Sequence, residues 1–423
     1  MEREKRFIKI FEEIPNTPVI DIHTHLNPVR LKAKDLSEII LYHYIATELA
    51  SSGMPREILD IEDPDERVRR VIPFLKNVRN TSTFWALRRV FSLFDFNEEL
   101  TEKSFALLKD KFMDFEKNFD GISFLRKRVK VEKAFLTLQF TDTGLTFDTS
   151  FFTGSLRLER LSKEFSKESL GMLENLFSLK VNSVRGMREA VGEVFDKFKE
   201  RISTITISLN PSETIVTDHR EELVDEAIRK TETGGRLSLE EKNALLSFVV
   251  EEFLKLIKDE GIVFQLMLGV ERPVVGASPP DYAIVVNEPS QLLSLCPLFH
   301  KYKEVSFDLI SASRTQTHEL DVIAKNYRNV YVSGFWWYSY YPSIMMERTV
   351  EKLQMLPVNK WCAFFSDAQV PEWVFGKAQL VKHQLAITLS DLVEKEYLDL
   401  QLALETARSL LYENALEIYR LKR

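Results

Sequence analysis

Cysteine, glycine and proline are scarce: the 423 residues include two Cys, 14 Gly and 15 Pro. The two thiols, Cys296 and Cys362, lie far apart and show no CxxC spacing, which fits reduced thiols in a cytoplasmic protein. So little glycine and proline, beside 44% hydrophobic residues, excludes a collagenous, low-complexity or disordered chain. No window of about 18 uninterrupted apolar residues occurs, so no spanning helix is expected. The opening MEREKRFIKIFEEIP has charge but no apolar core and does not read as a secretory signal. No run of five or more basic residues appears, and the formal charge is -7. Neither nucleic acid nor an anionic membrane is therefore expected as a partner.

What the chain has is aromatic surface, with 30 Phe, 12 Tyr and 5 Trp, enough for a large core. At roughly 150 residues per domain the length allows three small domains, but an α/β barrel alone routinely takes more than about 250. Short β-branched runs alternate with helix-period segments, the pattern of strand-helix units around a parallel sheet. The clearest strands are PVIDIH (18–23), VEKAFLTL (131–138), STITISL (203–209), IVFQLML (262–268), VSFDLI (305–310), NVYVSG (329–334) and WCAFFSD (361–367). GLTFDTSFF (144–152) supplies a weak eighth, and eight such units close a barrel. Between the first two strands lie about 105 residues of helical pattern, too many for a loop. The expected division is a barrel over residues 1–27 and 129–423 with a helical insertion over 28–128. Further helix is expected over 156–200 and 394–423, and SLEE at 238–241 reads as a capping box.

The sharpest chemical feature is Asp21-Ile22-His23-Thr24-His25 at the end of an apolar strand. Side chains two apart share a strand face, so His23 and His25 converge as a divalent metal centre requires. Two exposed strand-end histidines are the plain alternative. Asp21 shares that face and is read either as orienting an imidazole or as a cap. Asp367 closes the last apolar run, where a barrel strand emerges at its C-terminal face. Alone it is as readily a helix cap; with the paired histidines it becomes a metal ligand or general base. Two imidazoles and a carboxylate suit Zn, Mn, Fe or Co, and zinc is the expected ion.

DIHTHL with Asp367 resembles the amidohydrolase superfamily, and five further stretches are similar to its uronate (glucuronate) isomerase branch. These are FWALRRVF (84–91), VTDH (216–219), residues 234–272, NVYVSGFWWY (329–338) and FFSDA (364–368), collinear from about residue 15 to residue 420. The resemblance implies a distorted (β/α)8 TIM barrel of the metal-dependent hydrolase type with a helical insertion after strand 1. It implies aldose-ketose isomerisation of D-glucuronate to D-fructuronate and of D-galacturonate to D-tagaturonate through an enediol. Asp367 would be metal ligand and C2 base, and His23 and His25 would hold the metal. His43 and Tyr44 match the family's His-Tyr pair on the first inserted helix and would contact hydroxyls or shuttle a proton.

Three positions depart from the family pattern. Thr47 stands where members carry an arginine, Met267 where the strand-five motif has histidine, and Ala368-Gln369 where Ser-Arg is usual. A uronate needs a cation, and Arg272, His219 and Lys377 are the candidates to supply one. Trp336 and Trp337 are placed to roof the pocket, and Gln369 and His219 to reach the substrate. Glu372 offers a further carboxylate near the mouth, while His300, His318 and His383 read as surface. Two alternatives stand beside the isomerase: a mononuclear metal-dependent hydrolase, and a non-catalytic paralogue that binds a sugar acid. The helical insertion leaves room for a homo-oligomer.

Overall fold

A computed structural model describes residues 2–422. Ten strands run β1 (Val19–Thr24), β2 (Val131–Leu138), β3 (Phe152–Arg157), β4 (Ile202–Ser208), β5 (Val263–Leu268), β6 (Val270–Glu271), β7 (Ile284–Val285), β8 (Phe307–Ser311), β9 (Val330–Ser333) and β10 (Trp361–Cys362). Eight of them form one parallel sheet in the order β1-β2-β3-β4-β5-β8-β9-β10, and β6 and β7 pair antiparallel as a separate hairpin. Backbone bonds from Asp367 N to His23 O and from His25 N to Ala368 O, each 2.9 Å, join the segment after β10 back to β1. The result is a distorted (β/α)8 barrel, as expected.

Strand alternation decides which side chains enter the barrel. On β5, Gln265 and Met267 point inward, while Leu266 and Leu268 are fully buried under the surrounding helices. Likewise His23 faces in on β1, and Ile20 and Ile22 face out. The helix Pro371–Glu394, 24 residues long, follows the last strand and packs against the helices Glu2–Asn16 and Ser82–Ser92. The close approach to Ser82–Ser92 is made at Gly376, where a Cβ would lie 2.8 Å from Val90. Between β1 and β2 come the helices Leu36–Ile40, His43–Ser51, Pro64–Leu75, Ser82–Ser92 and Phe105–Glu116.

Four local expectations are corrected. The weak strand over 144–152 begins only at Phe152, because Asp148 makes a turn first: its carboxylate accepts Ser150 N at 2.9 Å and its carbonyl accepts Phe151 N and Phe152 N. The last apolar run is strand only over Trp361–Cys362, and its remainder continues as an irregular extended segment in which Asp367 has φ +52°. A continuous helix from about residue 35 to 53 is broken at Leu41 and Tyr42, where the Tyr42 ring stacks on Trp373 at 4.2 Å and its hydroxyl donates to Asp367 O at 3.0 Å. The C-terminal segment is two helices, Leu400–Arg408 and Asn414–Ile418, joined by a wider turn over Ser409–Glu413. The capping box forms as read, with Glu241 N to Ser238 Oγ at 3.2 Å and Ser238 N to Glu241 Oε2 at 2.7 Å.

Candidate metal centre and ligand cavity

At the C-terminal mouth of the barrel, the end of β1 carries His23, His25 follows it directly, and the segment after β10 delivers Asp367. The Nε2 atoms of His23 and His25 lie 3.7 and 3.3 Å from Asp367 Oδ1, and one ligand atom from each residue falls within 4.8 Å of the others. His23 Nε2 is buried and has no hydrogen-bond partner among the described residues. Atoms sharing one ion at roughly 2.0–2.2 Å have such separations, so the donor set fits a divalent metal.

The other atoms of the three side chains are occupied in ways that aim these donors at one point. His23 Nδ1 meets Gln265 Oε1 at 3.2 Å, and His25 Nδ1 meets Thr137 Oγ1 at 3.0 Å. Asp367 Oδ2 accepts from Tyr44 O–H at 2.8 Å and from Trp336 Nε1 at 3.2 Å. Burial, with the charge of His25 adding to it, drives the His23 pKa down to about 3, so the ring is neutral and able to ligate. Burial alone would raise the Asp367 carboxyl. The contact with His25 and the charges of Lys377, His25 and His23 overcome it and hold the group well below the usual carboxylate range.

Asp21 orients no imidazole. Its Oδ1 accepts Ser366 N at 2.8 Å and so ties β1 to the segment that carries Asp367. Burial raises its pKa to about 7. Lys377 is also beneath the site rather than in it: it is buried, donates to Ser366 O and sits 4.4 Å over the Tyr44 ring. Desolvation lowers it to about 8, against the pull of Asp367 and Asp21.

These residues open on a cavity of about 440 Å³ whose lining includes His43, Arg272, Trp336, Trp337, Gln369 and Met267. A volume of that order suits a small polar ligand. Tyr44 reaches the site through Asp367 and stacks on Trp337 at 5.8 Å. His219 stays outside the lining: its ring packs edge-on against Phe248, held there by the helix Leu239–Ile257. Glu372 is fully buried, accepts Ala33 N at 3.2 Å and does not line the cavity; burial raises its pKa to about 7. His300, His318 and His383 are exposed.

Among the lining residues that sequence reasoning missed are three charged ones near the mouth, Arg30, Arg157 and Asp281. Arg157 ends β3, and placing that strand at FTGSLR instead of eight residues earlier would have put a guanidinium at the barrel mouth. Arg30 follows the HxH by five residues in the first strand-to-helix loop. It is bound by Glu38 through two 2.9 Å bonds. Arg157 is bound by Glu159, whose carboxyl is pulled down to about 2 by that charge despite burial. Asp281 Oδ2 meets His43 Nδ1 at 2.9 Å. Its signal was faint, one acid in a Pro-Pro-Asp loop.

Two imidazoles at the end of the first strand and an aspartate after the last thus converge at the C-terminal mouth of a barrel, the arrangement of a mononuclear metal site. Among solved structures the chain has the fold of the uronate isomerases. It is similar to the uronate isomerase from Thermotoga maritima, with TM-score 0.89 and 16% identity over 98% of this chain and 97% of that one. The glucuronate isomerase from Caulobacter crescentus gives 0.85 and 17% over 100% and 95%. The uronate isomerase from Bacillus halodurans gives 0.81 and 19% over 99% and 97%. No family model and no curated protein matches the sequence. At such identities the likeness is one of fold, and the chemistry rests on the site itself. No helix among the described residues is long and apolar enough to cross a membrane.

Proposed function

We propose that the protein is a uronate isomerase that interconverts D-glucuronate with D-fructuronate and D-galacturonate with D-tagaturonate. The observation that carries this reading is Asp367, one oxygen facing two imidazoles and the other held by Tyr44 and Trp336, in a cavity lined by three arginines. His23, His25 and Asp367 would hold the ion, with zinc the expected one, and a bound divalent ion polarises a sugar oxygen and offsets the charge that develops on it.

The remaining work falls to the chain's own groups. Asp367 takes the C2 proton, the C2–H electron pair becomes the C1=C2 bond of the enediol, and the former carbonyl pair moves to O1. O1 takes up the proton that the O2 hydroxyl gives up, and return of the first proton to C1 as O2 becomes the carbonyl completes the isomerisation. Asp367 is held strongly ionised and is therefore a weak base, so its usefulness depends on contact with an already acidified C2–H. Tyr44, whose pKa is raised well above its ordinary value by burial and by the Asp367 charge, remains a hydroxyl and serves as donor beside that carboxylate. His43, backed by Asp281, would carry the proton from O2 to O1.

For the sugar carboxylate the choice lies among Arg30, Arg157 and Arg272. The first two are neutralised by Glu38 and Glu159. Arg272 has no ion pair among the described residues and lies 5.8 Å over the Trp337 ring, so it is assigned the carboxylate. The two free thiols suit a cytoplasmic location. Incubation of the zinc-loaded protein with each aldouronate, followed by NMR, tests the reading: ketose signals are expected. Their absence, with uptake of metal verified, leaves hydrolysis of lactones or amides, or plain binding of a sugar acid, as the function of the same three ligands.

A further inference from the structure

The barrel interior carries a polar line that starts at the metal cluster and ends near the C-terminus. Gln265 on β5 is fully buried, and both ends of its amide are engaged. Its Oε1 meets His23 Nδ1 at 3.2 Å and accepts from Thr206 Oγ1 at 3.2 Å. Its Nε2 donates to Asp308 Oδ2 at 3.3 Å and to the Tyr419 hydroxyl at 3.0 Å, and that hydroxyl itself donates to Asp308 Oδ2. Tyr419 follows the helix Asn414–Ile418, which is fixed by Asn414 Nδ2 bonds to Val358 O at 2.7 Å and Trp361 O at 2.8 Å. The Tyr419 ring closes edge-on against Phe135 at 4.9 Å.

The chemistry of these groups selects one orientation of the amide. Asp308 Oδ2 already accepts the Tyr419 hydroxyl and has no proton to give, so the amide NH₂ belongs at the Asp308 end; the reverse orientation would set the Gln265 carbonyl against that accepting oxygen. Thr206 can donate or accept and is satisfied either way. With Oε1 thus turned to His23, the imidazole must donate from Nδ1. Its Nε2 is left with a bare lone pair facing Asp367, the form that can bind a metal.

We propose that Asp308 and Tyr419 are positioning residues that fix the His23 tautomer through Gln265, so that the C-terminal segment sets the metal affinity of the site. This rests on the metal reading of the cluster and is independent of which reaction the site performs. It also explains why an acid, an amide and a phenol are buried together where a barrel would otherwise be filled with aliphatic side chains.

The test uses the full-length protein and two variants. Asp308→Asn replaces the acceptor by a side chain able to donate to a reversed Gln265 carbonyl, and Tyr419→Phe removes one acceptor of its NH₂. Zinc affinity is measured by chelator competition, and the His23 tautomer by ¹⁵N NMR of the metal-free protein labelled at histidine. Wild type is expected to show Nδ1–H with an unprotonated Nε2. The variants are expected to populate Nε2–H and to bind zinc roughly 10- to 100-fold more weakly, Tyr419→Phe toward the lower end. Variants that retain the wild-type tautomer and bind zinc within twofold of wild type overturn the proposal. Should Asp308→Asn fail to fold, Tyr419→Phe decides by the same two readouts. A wild type that binds no zinc overturns the metal reading, and the tautomers of the metal-free proteins still decide the relay.

Discussion

Arg272→Gln isolates the step on which substrate identity depends. The substitution removes the one cavity guanidinium without a carboxylate partner among the described residues and keeps an amide of similar reach. A hydrogen bond to a charged group contributes about 1.5–3 kcal/mol, and about 1.4 kcal/mol is tenfold, so KM for either aldouronate should rise roughly 10- to 150-fold. The carboxylate is remote from C1 and C2 and is held alike in ground and transition states, so kcat should change little. The assay is ketose formation followed by NMR over a range of substrate concentrations for both enzymes. The methyl ester of D-glucuronate closes the cycle: without the negative charge, wild type and variant should differ far less. Arg157 provides a contrast, since removing it strands the buried Glu159 and should cost about 3–5 kcal/mol of stability before any effect on binding is read. A KM within twofold of wild type for both acids would refute the assignment and place the carboxylate elsewhere in the cavity.

Tyr44→Phe removes the hydroxyl on Asp367 Oδ2 and should lower kcat by about 10²- to 10⁴-fold with KM nearly unchanged; an unaltered kcat would remove Tyr44 from the chemistry. Gly334→Ala places a Cβ 2.1 Å from the Phe365 ring at a φ of +67°, so thermal unfolding should show a loss of about 2–4 kcal/mol, and an unchanged Tm would contradict the packing. Lys382 donates to Pro15 O at 3.1 Å and Val129 O at 3.2 Å, and burial, with the charge of Lys130 adding, lowers it from 10.5 to about 7. Between those values the unfolded chain binds the proton more tightly, so Lys382 destabilises the fold fully below pH 7 and progressively less as pH rises toward 10. Relative to Lys382→Met, wild type should gain on the order of 1.4 kcal/mol per pH unit across that window in urea unfolding, and a constant gap would sink the idea.

The parts of this fold that could be read from the sequence are those in which one residue pattern allows one local structure. The alternation in IVFQLML and the HxH at the end of PVIDIH are of this kind, because inward and outward faces of a parallel strand are set by period two. The chain was less legible where a short polar device overrides the pattern. Asp148 delays β3 by a turn, and with it the emergence of Arg157 at the mouth; Tyr42 interrupts an amphipathic helix because its ring and hydroxyl are claimed by Trp373 and Asp367. Asp281 was harder still. Its relevance depends on how a loop between two short strands folds over the mouth, and no periodicity encodes that.

That loop also accounts for a departure that looked like a loss. Thr47 replaces the arginine expected four residues after His43, yet its hydroxyl bonds His43 O at 3.0 Å and Pro279 O at 3.2 Å, joining the inserted helix to the segment between β6 and β7. The same segment is held by Asp281 on His43, by Tyr338 O–H on Ala283 O at 3.3 Å, and by Arg56, which lies over the Tyr282 ring at 5.6 Å. A long arginine at position 47 would have to displace Pro279 from this contact. On the proposed function, the cation has moved rather than vanished: a small residue on the helix lets the loop dock, and the base of that loop carries Arg272, which lines the cavity. For a chain of net charge -7, which exerts no general pull on an anion, one guanidinium without an acidic partner is the local feature that can hold a sugar carboxylate.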